Sequence, residues 1–349
     1  MIRILIAEDS NVVGLLLKTI FEQEGDMEVV GQAMNGLDAV RMALELKPDI
    51  VTMDIRMPVM DGFEATREIM THIPLPIVVI STSINDAELQ TSFRAIEEGA
   101  LAVIEKPVGF SHPDFEANRR ELVHVVRAMS GIKVVTRTRA EPAPVEADAW
   151  RPPELVLGDY PEVVAIGSST GGPQALLSVL KGLSRNFPVP IVITQHMSKG
   201  FVGGLVTWLQ AHTPLKICLA ENFMKLTPGT VYLAPDDCHM QVERRMGGLV
   251  IRLDDGPPVH GARPSVTQLF RSVAKVTHGQ GIGVLMTGMG EDGADGLLAM
   301  KRAGCHTVVQ DNASAVVYGM PGAALALDAV VEVVRLGKLP VYLTGMVQK

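Results

Sequence analysis

Short runs rich in Val and Ile, bounded by turn-forming residues, alternate along the chain with longer segments whose apolar residues recur every three or four positions. In residues 1–130, RILIA (3–7), EVVGQA (28–33), DIVTM (49–53), PIVVI (76–80) and LAVIE (101–105) predict five strands. Segments such as VVGLLLKTIFEQEG (12–25) and GLDAVRMALELK (36–47) predict amphipathic helices between them. Strand followed by helix, repeated in this way, builds a parallel sheet with helices on both faces. The rhythm restarts at Val163. VVAIG (163–167), PIVITQH (190–196), GIGVLMTG (281–288) and HTVVQ (306–310) predict strands. PQALLSVLKGL (173–183), FVGGLVTWLQAH (201–212), SVTQLFRSVAKVTH (265–278) and GADGLLAMKRAG (293–304) predict helices. TVYLAP (230–235), MQVERR (240–245) and GLVIRL (248–253) predict a small β excursion within this half. The expected fold class is therefore α/β, as two doubly wound parallel-sheet domains.

Between the halves, Thr136 to Pro161 reads TRTRAEPAPVEADAWRPPELVLGDYP, with five prolines and little periodicity. This predicts a linker, semi-rigid where proline is dense. Trp150 and ELVLG (154–158) suggest that part of it docks on a domain. The expected organisation is a first domain over 1–130, a linker over 131–159 and a second domain over 160–349. A length of 349 residues suits two domains of ordinary size. Hydrophobic residues at 47% and charged residues at 20% are those of a soluble globular protein.

The net charge of −8 argues against a general electrostatic hold on nucleic acid, and no helix-turn-helix with a basic second helix is evident. Cys218, Cys238 and Cys305 show no CxxC spacing, so neither a disulfide framework nor a zinc site is expected. No apolar run reaches the roughly 18 residues of a membrane span. The N-terminal MIRILIAED is too short and too soon acidic for a signal peptide. A cytoplasmic protein without membrane insertion is expected.

In open parallel sheets, functional residues collect at the carboxyl ends of strands. In the first half these ends carry Glu8-Asp9, Asp54, Ser81-Thr82 and Glu105-Lys106-Pro107. Clustered carboxylates suit a hard dication such as Mg²⁺. An aspartate beside that metal can attack a phosphoryl donor while metal and lysine neutralise the incoming oxygens. Singly, each residue has a plainer role: Asp9 as a helix cap, Asp54 as a turn former, Lys106 as a solvated side chain. AED (7–9), MDIRMPVMDG (53–62), IST (80–82) and EKP (105–107) together resemble a two-component receiver domain, which is flavodoxin-like, over all of residues 1–130. The resemblance implies Mg²⁺ held by Glu8, Asp9, Asp54 and the Arg56 backbone carbonyl, phosphorylation at Asp54, a switch hydroxyl at Ser81 and a phosphoryl contact at Lys106. Val103 stands where receivers often carry an aromatic switch residue.

In the second half, GSSTGG (167–172) follows one strand, His196 another, and Asp292 lies in TGMGEDG (287–293) after a third. A hydroxyl, an imidazole and a carboxylate on one sheet rim are the constellation of acyl-transfer hydrolysis. The motif is not the GxSxG of the usual α/β-hydrolase elbow. GSSTGG also reads as a phosphate turn, although a GxGxxG fingerprint would need glycine at 169, where serine stands. His239 and His260, in loops near Gly and Pro, compete with His196. On residues alone, three outputs stay open: a hydrolase, a nucleotide-binding domain and a non-catalytic interaction module.

GSSTGGPQAL, ITQHM, LAPDDCHM, DDGPPVHGARPSV, TGMGEDGADGLLAM and YGMPGAA resemble, in order, the catalytic domain of the chemotaxis protein-glutamate methylesterases, the CheB response regulators, over about residues 160–345. The resemblance implies a Rossmann-like domain with Ser169 as nucleophile, His196 as general base and Asp292 orienting it. Thr170 and the Met289 backbone N–H take supporting and oxyanion places. Ser168 stands where the family usually has Ala, and Glu291 where it often has Asn. The implied reaction is hydrolysis of glutamyl methyl esters, and deamidation of glutamines, on methyl-accepting chemoreceptors. A CheA-type histidine kinase is the implied phosphodonor. No cofactor is expected in the catalytic half, and the receiver is expected to inhibit it until Asp54 is phosphorylated.

Overall fold

A computed structural model describes residues 1–81, 93–107, 109–113, 115–132, 134 and 160–347. Thr82, Trp150, ELVLG and nearly all of the proline-rich segment lie outside the described residues. The chain divides into two compact units, Met1–Pro144 and Val145–Lys349.

In the first unit, β1 (Ile2–Ala7), β2 (Met27–Ala33), β3 (Ile50–Asp54), β4 (Ile77–Ser81) and β5 (Ala102–Glu105) pair in the order β2-β1-β3-β4-β5. Every pairing is parallel. Helices α1 (Asn11–Glu22), α2 (Gly36–Leu46), α3 (Gly62–His72) and α4 (Phe115–Ser130) flank this sheet. Both β3 and β4 are buried at every residue, as strands covered on both faces must be, which explains their unbroken apolar text. The helices begin where short polar side chains satisfy free N–H groups: Ser10 Oγ accepts from Val13 N, and Asn35 Oδ1 from Asp38 N. Ser10 therefore caps α1, so Asp9 is not needed for that role.

In the second unit, β6 (Val163–Ser168), β7 (Ile191–Gln195), β8 (Lys216–Leu219) and β9 (Thr230–Leu233) precede a hairpin of β10 (His239–Arg245) and β11 (Gly248–Asp254). Then follow β12 (Gly281–Leu285), β13 (His306–Gln310) and β14 (Glu332–Val334). Seven of these form one parallel sheet in the order β14-β13-β12-β6-β7-β9-β8, and β10 pairs with β11 alone, antiparallel. The excursion is thus smaller than the sequence implied. TVYL belongs to the main sheet, between β7 and β8, and only MQVERR and GLVIRL make the hairpin. The helices are α5 (Gly172–Lys181), α6 (Val202–His212), α7 (Val266–Thr277), α8 (Ala294–Arg302), α9 (Gly319–Ala326) and α10 (Leu339–Val347). Helix α7 buries Val266, Leu269, Phe270 and Val273 in one cluster with Met240 and Ile251 of the hairpin. That apolar contact seats the hairpin beside the sheet.

Both sheets reverse direction of winding once. In the first, the chain leaves β1 for β2 on one side and reaches β3 on the other; in the second, β6 leads to β7 and β12 lies on its opposite side. Crevices at such points, beyond the strands' carboxyl ends, are where open α/β sheets bind and react. Glu8 and Asp54 flank the first crevice; Ser169 and the loop holding Asp292 flank the second. At the first, Gly62 is packed so closely that a Cβ would fall 2.1 Å from the Asp54 backbone oxygen. Gly62→Ala is expected to destabilise the first unit by about 1–3 kcal/mol through this backbone overlap, read as a lowered denaturant midpoint for that unit with the second unit's transition unmoved.

Candidate active site

Parallel register sets the chemistry of the second unit. Ser168 and Gln195 are the last paired residues of β6 and β7, so Ser169 and His196 are the next residues on adjacent strands. The His196 N–H donates to Ser168 O at 2.9 Å, continuing the ladder into the loop. From β12, the Ser169 N–H donates to Thr287 O at 3.0 Å, and Thr287 Oγ1 donates to Thr170 O at 2.9 Å. The serine turn is therefore held from both flanking strands.

Asp292 is buried and its carboxylate sits at the N-terminus of α7. Oδ1 accepts from Ser265 Oγ at 2.8 Å and from Thr267 N at 3.1 Å, while Oδ2 accepts from Val266 N at 2.7 Å. These are free N–H groups of the first helical turn, the place where a negative charge is most stabilised. Oδ2 also lies 2.8 Å from His196 Nε2. Burial, the largest influence, pushes the Asp292 pKa up. The bonds and charge of His196 and the bonds from Ser265 and Thr267 outweigh it, holding the carboxyl at about 2. With Nε2–H donated to a fixed carboxylate, Nδ1 is the ring nitrogen left to accept a proton. Ser169 Oγ is not hydrogen-bonded to His196 among the described residues.

The loop after β12 reaches the turn that bears Ser169. A Cβ on Gly288 would lie 2.8 Å from Ser169 Cβ and 3.1 Å from Ser169 N, a separation only glycine permits. Met289 is the next residue. Its backbone N–H makes no hydrogen bond among the described residues. Thr170 is half-buried on the same turn as Ser169 and is fixed through its carbonyl.

The glycines of GSSTGG serve packing. Gly171 has φ 75°, and a Cβ there would fall 2.6 Å from Val316; one on Gly172 would fall 1.9 Å from Gln195 Oε1. Val316 and Gln195 thus fill the space beside these two glycines. The competing histidines have other partners. His239 is buried, accepts from Ser265 N through Nδ1 and bonds Pro257 O through Nε2. His260 lies between Glu291 (3.3 Å) and Asp295 (3.4 Å), so Glu291 pairs with His260.

In the first unit, Glu8, Asp9 and Asp54 each offer a carboxylate oxygen within 4.8 Å of the others. Lys106 Nζ bridges Glu8 Oε2 at 2.8 Å and Asp54 Oδ2 at 2.9 Å. Burial, with help from the Asp54 charge, raises the Glu8 carboxyl above its ordinary value despite the Lys106 ammonium beside it. Burial alone would lower Lys106, but its bonds to Glu8 and Asp54 prevail and raise it. Ser81 lies one residue past the Asp54–Ile80 pair, buried, with its carbonyl accepting from Lys106 N at 2.8 Å. Arg56 is exposed in the loop that the Gly62 N–H to Ile55 O bond closes at 2.9 Å.

The two halves match separate protein families. Residues 164–343 match the CheB methylesterase family, and residues 4–112 match the response regulator receiver domain. The chain belongs to the CheB methylesterase family. A protein of Myxococcus xanthus named protein-glutamate methylesterase/protein-glutamine glutaminase 4 is 45% identical over 99% of this chain and 96% of its own length. A protein of Methanospirillum hungatei named protein-glutamate methylesterase/protein-glutamine glutaminase 2 is 44% identical over 94% of this chain and 93% of its own. The crystal structure of the Thermotoga maritima CheB methylesterase catalytic domain superposes with a TM-score of 0.52 at 34% identity. That match covers 53% of this chain and 97% of the Thermotoga chain. Among the described residues no helix is long and apolar enough to cross a membrane.

Gln195, Ser265 and Thr287 escaped the sequence reading. Ser265 carried a usable signal, a serine directly before an apolar helical run. The other two are buried polar residues within strand text, and nothing local marks their partners.

Folding lowers the Asp292 pKa from an ordinary 3.8 to about 2, so the unfolded chain binds more protons between those values. The stabilisation, about 2 kcal/mol, is present above the unfolded pKa and lost as pH falls through the folded one. Urea midpoints measured from pH 5 down to pH 2 are expected to fall less steeply in Asp292→Asn than in the parent.

Proposed function

We propose that this chain is a phosphorylation-activated protein-glutamate methylesterase and glutaminase of chemoreceptors, with Ser169, His196 and Asp292 as its catalytic triad. The observation that carries the assignment is the part-buried His196–Asp292 bond beside the turn bearing Ser169. Ser169 Oγ attacks the glutamyl ester carbonyl as His196 Nδ1 takes its proton. Asp292 keeps Nε2 protonated and stabilises the imidazolium. The Met289 N–H supplies the oxyanion contact and the Thr170 turn supports the geometry. His196 gives its proton to the departing methoxide, which leaves as methanol. Water, deprotonated by His196, then splits the acyl-enzyme, returning glutamate and Ser169. Glutamine follows the same path with ammonia as leaving group.

Glu8, Asp9 and Asp54, all hard oxygen donors, fit Mg²⁺, with the Arg56 carbonyl as a further ligand. Bound there, Mg²⁺ supplies charge neutralisation for phosphoryl transfer. Asp54 accepts the phosphoryl group from a CheA-type kinase, Lys106 contacts it and Ser81 serves as the switch hydroxyl. The phosphorylated receiver favours the active state, at about 1.4 kcal/mol for each tenfold gain. The setting is the cytoplasm, where the receptor glutamates lie.

Methanol release from methylated receptor membranes tests the triad. Ser169→Ala is expected to lose nearly all of it and Ser168→Ala to retain most; equal release from parent and Ser169→Ala would refute the assignment. A small phosphodonor with Mg²⁺ is expected to raise release by the parent and leave Asp54→Asn unchanged, with chelation of the metal abolishing the gain.

A further inference from the structure

Immediately behind the triad lies a buried amide whose every hydrogen-bonding group is engaged. Gln195 is 5% exposed and Ser168 is fully buried. Gln195 Nε2 donates to Ser169 O at 2.7 Å and to His196 O at 2.7 Å. Its Oε1 accepts from Ser168 Oγ at 2.6 Å. One amide group thus ties together the peptide units of the two residues between which a proton must pass. Two carbonyl oxygens on one side fix its orientation, because a flipped amide would set its own oxygen against both. That orientation turns Oε1 toward Ser168, whose hydroxyl acts as donor and saves the buried oxygen from being unpaired. Ser169 O also accepts from Gly172 N at 2.8 Å, so the same carbonyl is held by the first turn of α5.

The seat for this amide is prepared by the backbone. A Cβ at Gly172 would fall 1.9 Å from Oε1 and 2.8 Å from Cδ of Gln195, so the last glycine of GSSTGG makes room for it. The strand register sets Ser168 directly opposite Gln195. Thr287 holds the nucleophile turn from the β12 side, whereas the Gln195 side chain reaches the carbonyls of both Ser169 and His196.

We propose that Gln195 is a positioning residue for the esterase, and that Ser168 acts through it by pairing its amide oxygen. Gln195 touches neither the ester nor the exchanging proton. It sets the separation of Ser169 Oγ and His196 Nδ1 by fixing the backbone units on which both side chains stand. This inference rests on the triad reading above. Removal of the amide therefore lowers the rate of the chemical step while leaving substrate capture unchanged. Loss of the Ser168 hydroxyl alone, with the two carbonyl bonds intact, has a smaller effect.

The test compares the full-length parent, Gln195→Met, Gln195→Glu and Ser168→Ala by methanol release from methylated receptor membranes. A parallel readout is the rate at which a small fluorophosphonate labels Ser169, which needs the nucleophile and base but no protein docking. Gln195→Met, similar in shape but without donors, is expected to lower kcat and the labelling rate by the same factor, between about tenfold and a hundredfold. KM is expected to stay within about twofold, the pattern of an interaction that serves only the chemical step. Ser168→Ala is expected to lose less than tenfold. Gln195→Glu can donate to a carbonyl only while protonated. Its kcat is therefore expected to fall as pH rises, along a limb the parent lacks, with activity returning toward the parent's at low pH. Parent-like kcat and labelling in Gln195→Met would overturn the proposal, as would a Gln195→Glu profile parallel to the parent's. Failure of the triad reading looks different: the parent itself would then release no more methanol than Ser169→Ala.

Discussion

Ser168 and Gln195 face each other at the last paired position of two parallel strands, and the catalytic half is organised outward from that pair. Because β6 and β7 run in register to their carboxyl ends, the residues just beyond, Ser169 and His196, emerge side by side. A one-residue shift would send each side chain to the opposite face of the sheet. The pairing therefore decides whether a hydroxyl and an imidazole share a crevice at all. β12 brings the loop bearing Asp292 from the other side of β6, and that loop approaches so closely that only glycine fits at 288 against the Ser169 backbone.

A buried carboxylate next to an imidazole would ordinarily be costly, since burial disfavours the charged form. Here the charge is placed on the unpaired N–H groups that open α7, and the helix end needs an acceptor as much as the carboxylate needs donors. The apolar packing of α7 against the hairpin fixes that helix end in space. Core packing, capping and charge placement thus converge on a single ring orientation for His196. The receiver half adds a cation to the same device: Ser10 N, at the start of α1, donates to Glu8 Oε1 at 3.1 Å, and Lys106 is set between Glu8 and Asp54.

Most of the architecture was legible because buried parallel strands have a strong signature. VVAIG, PIVIT and GIGVL are continuous apolar text with chemistry-bearing residues just after them. The misreadings lie where that signature fails. β8 (Lys216–Leu219) is an edge strand with only its second residue buried, and β14 spans three residues, two of them exposed. TVYL is fully buried and strand-like, but whether it joins the sheet or the hairpin is set by tertiary pairing that its own residues do not encode. The residues expected to act, Ser169, His196 and Asp292 in one half and Glu8, Asp9, Asp54 and Lys106 in the other, could be singled out as strand-end residues together with the family resemblance, and the structure brings each set to one sheet rim. Gln195 and Thr287 could not be, because each is a polar residue whose meaning comes from carbonyls 26 and 117 positions away in sequence. The glycines of GSSTGG were visible from the start, and only the packed structure shows that they admit Gln195 and Val316.

The account stands on Ser169 forming a covalent bond with the substrate acyl group. Mixing the full-length chain with a methylated receptor fragment, quenching in acid within the first turnover and mapping the adduct by mass spectrometry tests this directly. The account predicts an ester-linked glutamyl adduct on Ser169, absent from Ser169→Ala. Methanol release without any adduct, or an adduct on Ser168 instead, would contradict it.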